Sequence, residues 1–147
     1  MTHDSSLKNV LYEPLKRVRS ALSNSFPVRE FTDGIRVVTH HLYPGHSFVQ
    51  VLIQGGPDTF VVSDEGNAVR TLTATGAEIE NPDPMVAPLL TPKGFHIRDG
   101  VISSSPVDAD SLGVAIAFVA GASREVAEYL FAHCPQEKPD LSFGFPQ

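Results

Sequence analysis

The spacing of apolar and polar positions changes several times along the chain, and each change predicts an element. Leu7, Val10, Leu11, Leu15, Val18 and Leu22 recur at steps of three and four, the stripe of an amphipathic helix. Ser5 or Ser6 is placed to cap it. Pro14 interrupts the stripe, so the pattern predicts a kink there or a second helix from near Glu13. Phe26–Phe31 then reads as a strand, with Pro27 holding it at an edge or a strand start. Asp33-Gly34 is a hairpin signal, and Ile35–Leu42 pairs back. Tyr43-Pro44-Gly45-His46 makes the next turn. In Phe48–Gln54, Val49, Val51 and Ile53 alternate with Phe48 and Leu52, so both faces are apolar. That predicts a central strand with helices on one side and a partner as the candidate cover on the other. Gly55-Gly56-Pro57-Asp58 turns into Thr59–Val62, completing a four-stranded antiparallel meander.

The stretch Asp58–Gly76 organises the rest. Thr59-Phe60-Val61-Val62 is β-branched and aromatic, as a buried strand requires. Ser63 and Asp64 end it, and both are strong helix N-cap residues, their side-chain oxygens accepting from free N–H groups of a first turn. Asp64 also suits the positive end of a helix dipole. Val69, Leu72 and Thr73 follow at helical spacing, and Gly76 stands where a left-handed residue closes the helix. Gly66 inside a helix would cost about 1 kcal/mol relative to alanine. It fits better in a tight strand–helix turn, with the helix starting at Glu65 or Asn67.

Downstream, Ala77–Asn81 reads as a connector or short strand. Pro82-Asp83-Pro84 opens a helix with Asp83 as its cap, and Pro88 and Pro92 keep that helix short. Phe95–Ile97 and Val101–Ser103 flank Asp99-Gly100 as a second hairpin, with His96 facing solvent between Phe95 and Ile97. Asp108 or Asp110 caps a final helix that runs to the region of His133. Its buried side is marked by Leu112, Ala115, Ile116, Val119, Val126, Ala127 and Leu130. Its middle is small: Gly113, Ala117, Ala120, Gly121 and Ala122. Small residues there serve core packing or, in the alternative reading, a homodimer face. Pro135 ends the helix. The tail carries Phe143 and Phe145, which would dock on the body or on a partner. Together these patterns predict an α+β fold: a single domain over residues 1–134 and a C-terminal tail over 135–147. The sheet is an antiparallel meander of four to six strands, with helices mainly on one face and a long C-terminal helix.

Composition narrows the function. A chain of 147 residues can bury a core as one domain. Its formal net charge of −6 argues against general binding to nucleic-acid phosphates. The charge is uneven: Lys8, Lys16, Arg17, Arg19 and Arg29 stand against Asp4, Glu13 and Glu30 in the first 31 residues, and the remainder is acidic. The basic face of the first helix is a solvated surface or a docking surface. A single cysteine, Cys134, excludes an intramolecular disulfide and fits a reducing cytoplasm. No apolar run predicts a membrane span, and MTHDSSLKNV has no signal-peptide pattern.

Motif chemistry is sparse. There is no Gly-rich phosphate loop, dinucleotide fingerprint, Gly-x-Ser-x-Gly elbow or Cys-x-x-Cys pair. His40, His41 and His46 cluster, but neighbours on a regular strand point to opposite faces, so the expectation is no metal and no cofactor. Ser63, Asp64 and Glu65 are the candidate site residues. They read as a structural cap, or as a polar cluster at a strand end that faces a partner or ligand, working with a histidine such as His40 or His46 if the chain is an enzyme.

The segment Ile35–Gly76 resembles an uncharacterised bacterial and prophage family, the domain of unknown function numbered eighteen twenty-eight. The resemblance lies in a strand (Val37–Thr39), a turn (Tyr43–Gly45), a strand (Phe48–Ile53), a Gly-rich turn (Gly55–Asp58) and a Ser-Asp-x-Gly junction (Ser63–Gly66). His40 replaces the family's usual proline after Thr39. The resemblance implies a phage or mobile-element context, where such genes serve host–phage conflict, and it brings no catalytic residue. The expected function is therefore a non-enzymatic, regulatory or inhibitory protein that binds a protein partner. A small enzyme or ligand-binding domain centred on Ser63-Asp64-Glu65 is the alternative.

Overall fold

The computed structural model describes residues 28–31 and 34–135, together with Leu15 and Val18. Leu15 and Val18 are helical and buried, at 4% and 7% exposure. The rest of the expected first helix, its Pro14 kink, its basic face and the aromatic tail lie outside the described residues.

The strands are β1 (Val28–Phe31), β2 (Gly34–Leu42), β3 (Phe48–Gly55), β4 (Phe60–Ser63), β5 (Phe95–Arg98) and β6 (Val101–Ser104). They form one antiparallel sheet in the order β1-β2-β3-β4-β6-β5. The first four are the meander that alternation predicts. Phe31 pairs with Gly34; Thr32 and Asp33 lie outside the described residues. A Cβ at Gly34 would collide with the Ile53 carbonyl oxygen, so that position accepts no side chain. The second hairpin joins with its later strand inward, β6 beside β4 and β5 at the edge. Asp99 and Gly100 both have positive φ, 51° and 80°, the turn conformation that Asp-Gly pairs favour.

Among the described residues from Gly34 onward, three α-helices follow in chain order: α1 (Asn67–Thr73), α2 (Asp83–Leu90) and α3 (Leu112–His133). Alternation puts Ile35 and Val37, Val49, Val51 and Ile53, Phe60 and Val62, and Ile102 on one sheet face, all buried. The 22-residue α3 packs against that face and contacts β2, β3, β4 and β6. Leu112, Ile116, Val119, Val126, Ala127 and Leu130 supply its inner side. α1 packs on α3, and α2 packs on β5 and α3. The helix ends at His133, and Cys134 is already extended ahead of Pro135, as the residue before a proline prefers.

One local expectation is corrected. Asp83 is the first residue of α2, not its cap. Its carboxylate instead accepts hydrogen bonds from the Asp99 and Gly100 N–H groups at 2.8 and 3.0 Å, pinning the β5–β6 turn. Asn81 Oδ1 accepts from the Asp83 N–H at 3.2 Å in the place of the expected cap. α2 is short as expected, eight residues with Pro88 inside it, and the chain tightens into a 3₁₀ turn at Thr91–Lys93, which contains Pro92. The β2–β3 register also shifts between Val38 and Leu42. Thr39 Oγ1 donates to the Val49 carbonyl at 2.8 Å across this irregularity, and accepts from the His41 N–H at 3.3 Å. A hydroxyl thus serves backbone groups where the ladder is broken.

Candidate functional site

At the strand–helix junction the chain makes two successive left-handed residues, Glu65 (φ 57°) and Gly66 (φ 81°), before α1 begins at Asn67. This reversal turns Asp64 inward and leaves Glu65 on the sheet's other side. Asp64 is completely buried. Its Oδ1 accepts from the Gly66 N–H at 2.8 Å and the Ile102 N–H at 2.9 Å. Its Oδ2 accepts from the Ala68 N–H at 3.2 Å and from the Ser123 hydroxyl at 2.7 Å. The carboxylate therefore caps the first turn of α1 from two residues before the helix's formal N-cap, and at the same time ties β6 and α3 to that turn.

The network continues inward. Tyr43 Oη lies 2.7 Å from Ser123 Oγ. A serine hydroxyl has one proton, and Ser123 gives it to Asp64, so Tyr43 donates to Ser123 and the chain of bonds runs Tyr43 to Ser123 to Asp64. Burial pushes the Asp64 carboxyl above the usual carboxylate range, opposed by the Ser123 bond and by the three backbone N–H groups. Burial likewise raises the Tyr43 phenol.

The other two candidate residues are also committed internally. Ser63 ends β4 opposite Leu52 and Ser103 at 9% exposure. Glu65 Oε1 accepts from Arg36 Nη2 at 2.6 Å, and its Oε2 accepts from Arg36 Nε at 2.9 Å, a forked, part-buried ion pair. The three neighbours in sequence thus point to three different places. Among the described residues no histidine is a partner of Asp64, and His40 and His46 are exposed. A cleft of about 540 Å³ does lie nearby, lined by Tyr43, Phe48, Gln50, Arg70 and Thr75 among others. Ser63, Asp64 and Glu65 are not among its walls, and Arg70 Nη2 there is bonded to Asn67 Oδ1 at 2.6 Å.

Sequence reasoning missed Tyr43 and Ser123. The signal for Ser123 was present: it falls between Val119 and Val126 on the buried stripe of α3, and a buried hydroxyl requires a partner. The sequence places Tyr43 in a turn, and nothing local shows that its ring enters the core at 4% exposure.

The outward side of α3 has a different character. Val114 is 57% and Phe118 62% exposed, and Gly113 and Ala117 are exposed beside them. Along one flank of this surface runs a cavity of about 640 Å³ between α3, His41 and Phe95. Lys93 and Glu125 pair across its rim at 2.5 Å. His41 is held below its ordinary pKa by burial first, then by the charges of Arg124 and His40. Among the described residues, no group of His, Cys, Asp and Glu is arranged to hold a metal ion, and no helix is long and apolar enough to cross a membrane.

No family model matches this chain, and no curated protein or solved structure was found to be similar to it.

Proposed function

We propose that this protein acts by binding another protein rather than by catalysis, and that the outward side of α3 is the contact surface. The observation that supports this is the pair Val114 and Phe118, 57% and 62% exposed one helical turn apart. Contiguous apolar surface of this kind marks interaction sites more often than isolated exposed residues do. Gly113, Ala117 and Gly121 recur at four-residue steps beside it, so a second helix can approach closely.

The occupant we assign is a second copy of this chain. An isologous interface requires a self-complementary patch. The surface around Phe118 meets that requirement with an apolar strip flanked by Lys93 and Arg124 and by Glu125 and Glu128, so a two-fold axis can set unlike charges opposite one another. The regulatory or inhibitory role, the cytoplasmic location and the phage or mobile-element context implied by the family resemblance belong to the same proposal.

Sedimentation velocity of the wild-type chain and of Phe118→Asp tests it. The expected result is a dimer for the wild type and a monomer for the variant, with the same circular dichroism. A wild-type chain that stays monomeric at high micromolar concentration, or a dimer that survives Phe118→Asp, overturns the reading.

A further inference from the structure

The cavity between α3, β2 and β5 has the composition of a small-molecule site, aromatic and small apolar walls with a few polar groups among them. Phe95 and Phe118 form the aromatic walls, and Gly121 leaves space where another helix residue would fill it. A Cβ at Gly121 would meet only His41 Cε1, at an ordinary 3.7 Å, so backbone crowding does not require the glycine.

The polar residues that line it are His41, Arg124, Lys93 and Glu125. Among the described residues the acidic group paired with Arg124 is Glu128, whose Oε2 is 3.9 Å from Nη1, with both side chains substantially exposed. Arg124 Nε is sealed from solvent and has no hydrogen-bond partner among the described residues. A buried unpaired N–H is costly, and a modest turn of the guanidinium into the cavity would release it. The other cation at the rim, Lys93, is already engaged by Glu125. A planar guanidinium beside an aromatic-walled space is suited to a carboxylate on an apolar body, because the fork matches both carboxylate oxygens.

We propose that this cavity binds a small apolar carboxylate, with the carboxylate on Arg124 and the apolar body between Phe95 and Phe118 over Gly121. This inference shares Phe118, Gly121 and Arg124 with the proposed helix contact, so the titration is run at a protein concentration where sedimentation velocity has defined the oligomeric state, and His41 and Phe95, which lie outside that contact, report on the cavity by themselves.

The probe is 2-naphthoate, titrated into the isotope-labelled chain by NMR, with the uncharged 2-naphthamide as comparison. Saturable naphthoate binding is expected in the high-micromolar to millimolar range, with the largest shifts at His41, Phe95 and Gly121. Arg124→Gln is expected to weaken naphthoate at least fivefold and to change naphthamide less than twofold. Gly121→Leu, which puts its side chain into the cavity, is expected to abolish binding of both, and retained dispersion in its spectrum shows that it has folded. Absence of saturation by naphthoate, shifts centred elsewhere, or equal affinity in Arg124→Gln overturns the proposal. Failure here leaves the sedimentation result untouched, and a wild-type monomer leaves this site untouched.

Discussion

Ser123 donates a 2.7 Å hydrogen bond to Asp64 across 59 residues of chain. It joins the middle of the longest helix to the turn where β4 becomes α1. Ser123 also accepts from Tyr43, 80 residues away, so one small hydroxyl holds three distant segments in register. Its removal is expected to affect the whole fold.

Ser123→Ala leaves the Tyr43 hydroxyl without its acceptor and Asp64 with one donor fewer, both in the core. An unmet buried group costs about 1–3 kcal/mol, and the expected loss of unfolding free energy is roughly 2 kcal/mol by urea denaturation. Tyr43→Phe removes its hydroxyl cleanly and leaves the Ser123–Asp64 bond intact. Its expected cost is smaller, about 1 kcal/mol. A larger loss for Tyr43→Phe than for Ser123→Ala would contradict the assigned direction of the bonds.

The Asp64 carboxyl is raised in the folded state, with burial as the first cause. Between its ordinary unfolded value of about 3.9 and the higher folded value, the native chain binds more proton than the unfolded chain. The contribution of this group is therefore fully present below the unfolded value and is lost as pH rises through the folded one. Asp64→Asn removes that dependence. The stability of the wild type relative to Asp64→Asn should fall as pH is raised from acid toward neutral, read from urea curves at several pH values. A difference that stays flat, or rises with pH, would refute the raised value.

Glu65 combines a left-handed backbone with an ion pair to Arg36. Alanine there loses the pair and keeps the strain, whereas glycine loses the pair and relieves it. Glu65→Gly should exceed Glu65→Ala in stability by about 1 kcal/mol, measured by thermal or urea unfolding. Equal stability of the two would show that the turn relaxes when Arg36 is released.

The two sides of α3 should respond oppositely to truncation. Ile116 is fully buried, and Ile116→Ala is expected to cost roughly 3 kcal/mol through lost burial and a cavity. Phe118→Ser, at a position 62% exposed, should stay within about 0.5 kcal/mol of the wild type when compared as monomers. A large loss at Phe118 would mean that the residue serves the core.

Much of the fold was legible along the chain because its causes are local. Alternation at Val49, Val51 and Ile53 placed β3 and its inner face. Asp99-Gly100 placed the second hairpin, since few other residue pairs take two positive φ angles readily. The 3.6-residue stripe from Leu112 to Leu130 identified α3 and its buried side, and Pro135 marked where it stops. The candidate site was only partly legible. Ser63 and Asp64 read as a cap or as an outward polar cluster, and of the two it is Asp64 that accepts the Ala68 N–H of α1's first turn. That the same carboxylate would be wholly buried and bound to Ile102 and Ser123 had no local signature.

The sequence alone determined the elements, their order and which side of each is apolar, because periodicity, caps and turn residues act over four or five neighbours. Tertiary structure decided what only packing can. It inserted β6 between β4 and β5, and it placed Asp83 on the β5–β6 turn. It sent Asp64 inward and Glu65 out to Arg36, and it left Val114 and Phe118 uncovered beside a cavity. Each of these is a meeting of residues far apart in the chain, set by how the sheet and α3 bury their common face, and no short stretch of sequence encodes such a meeting.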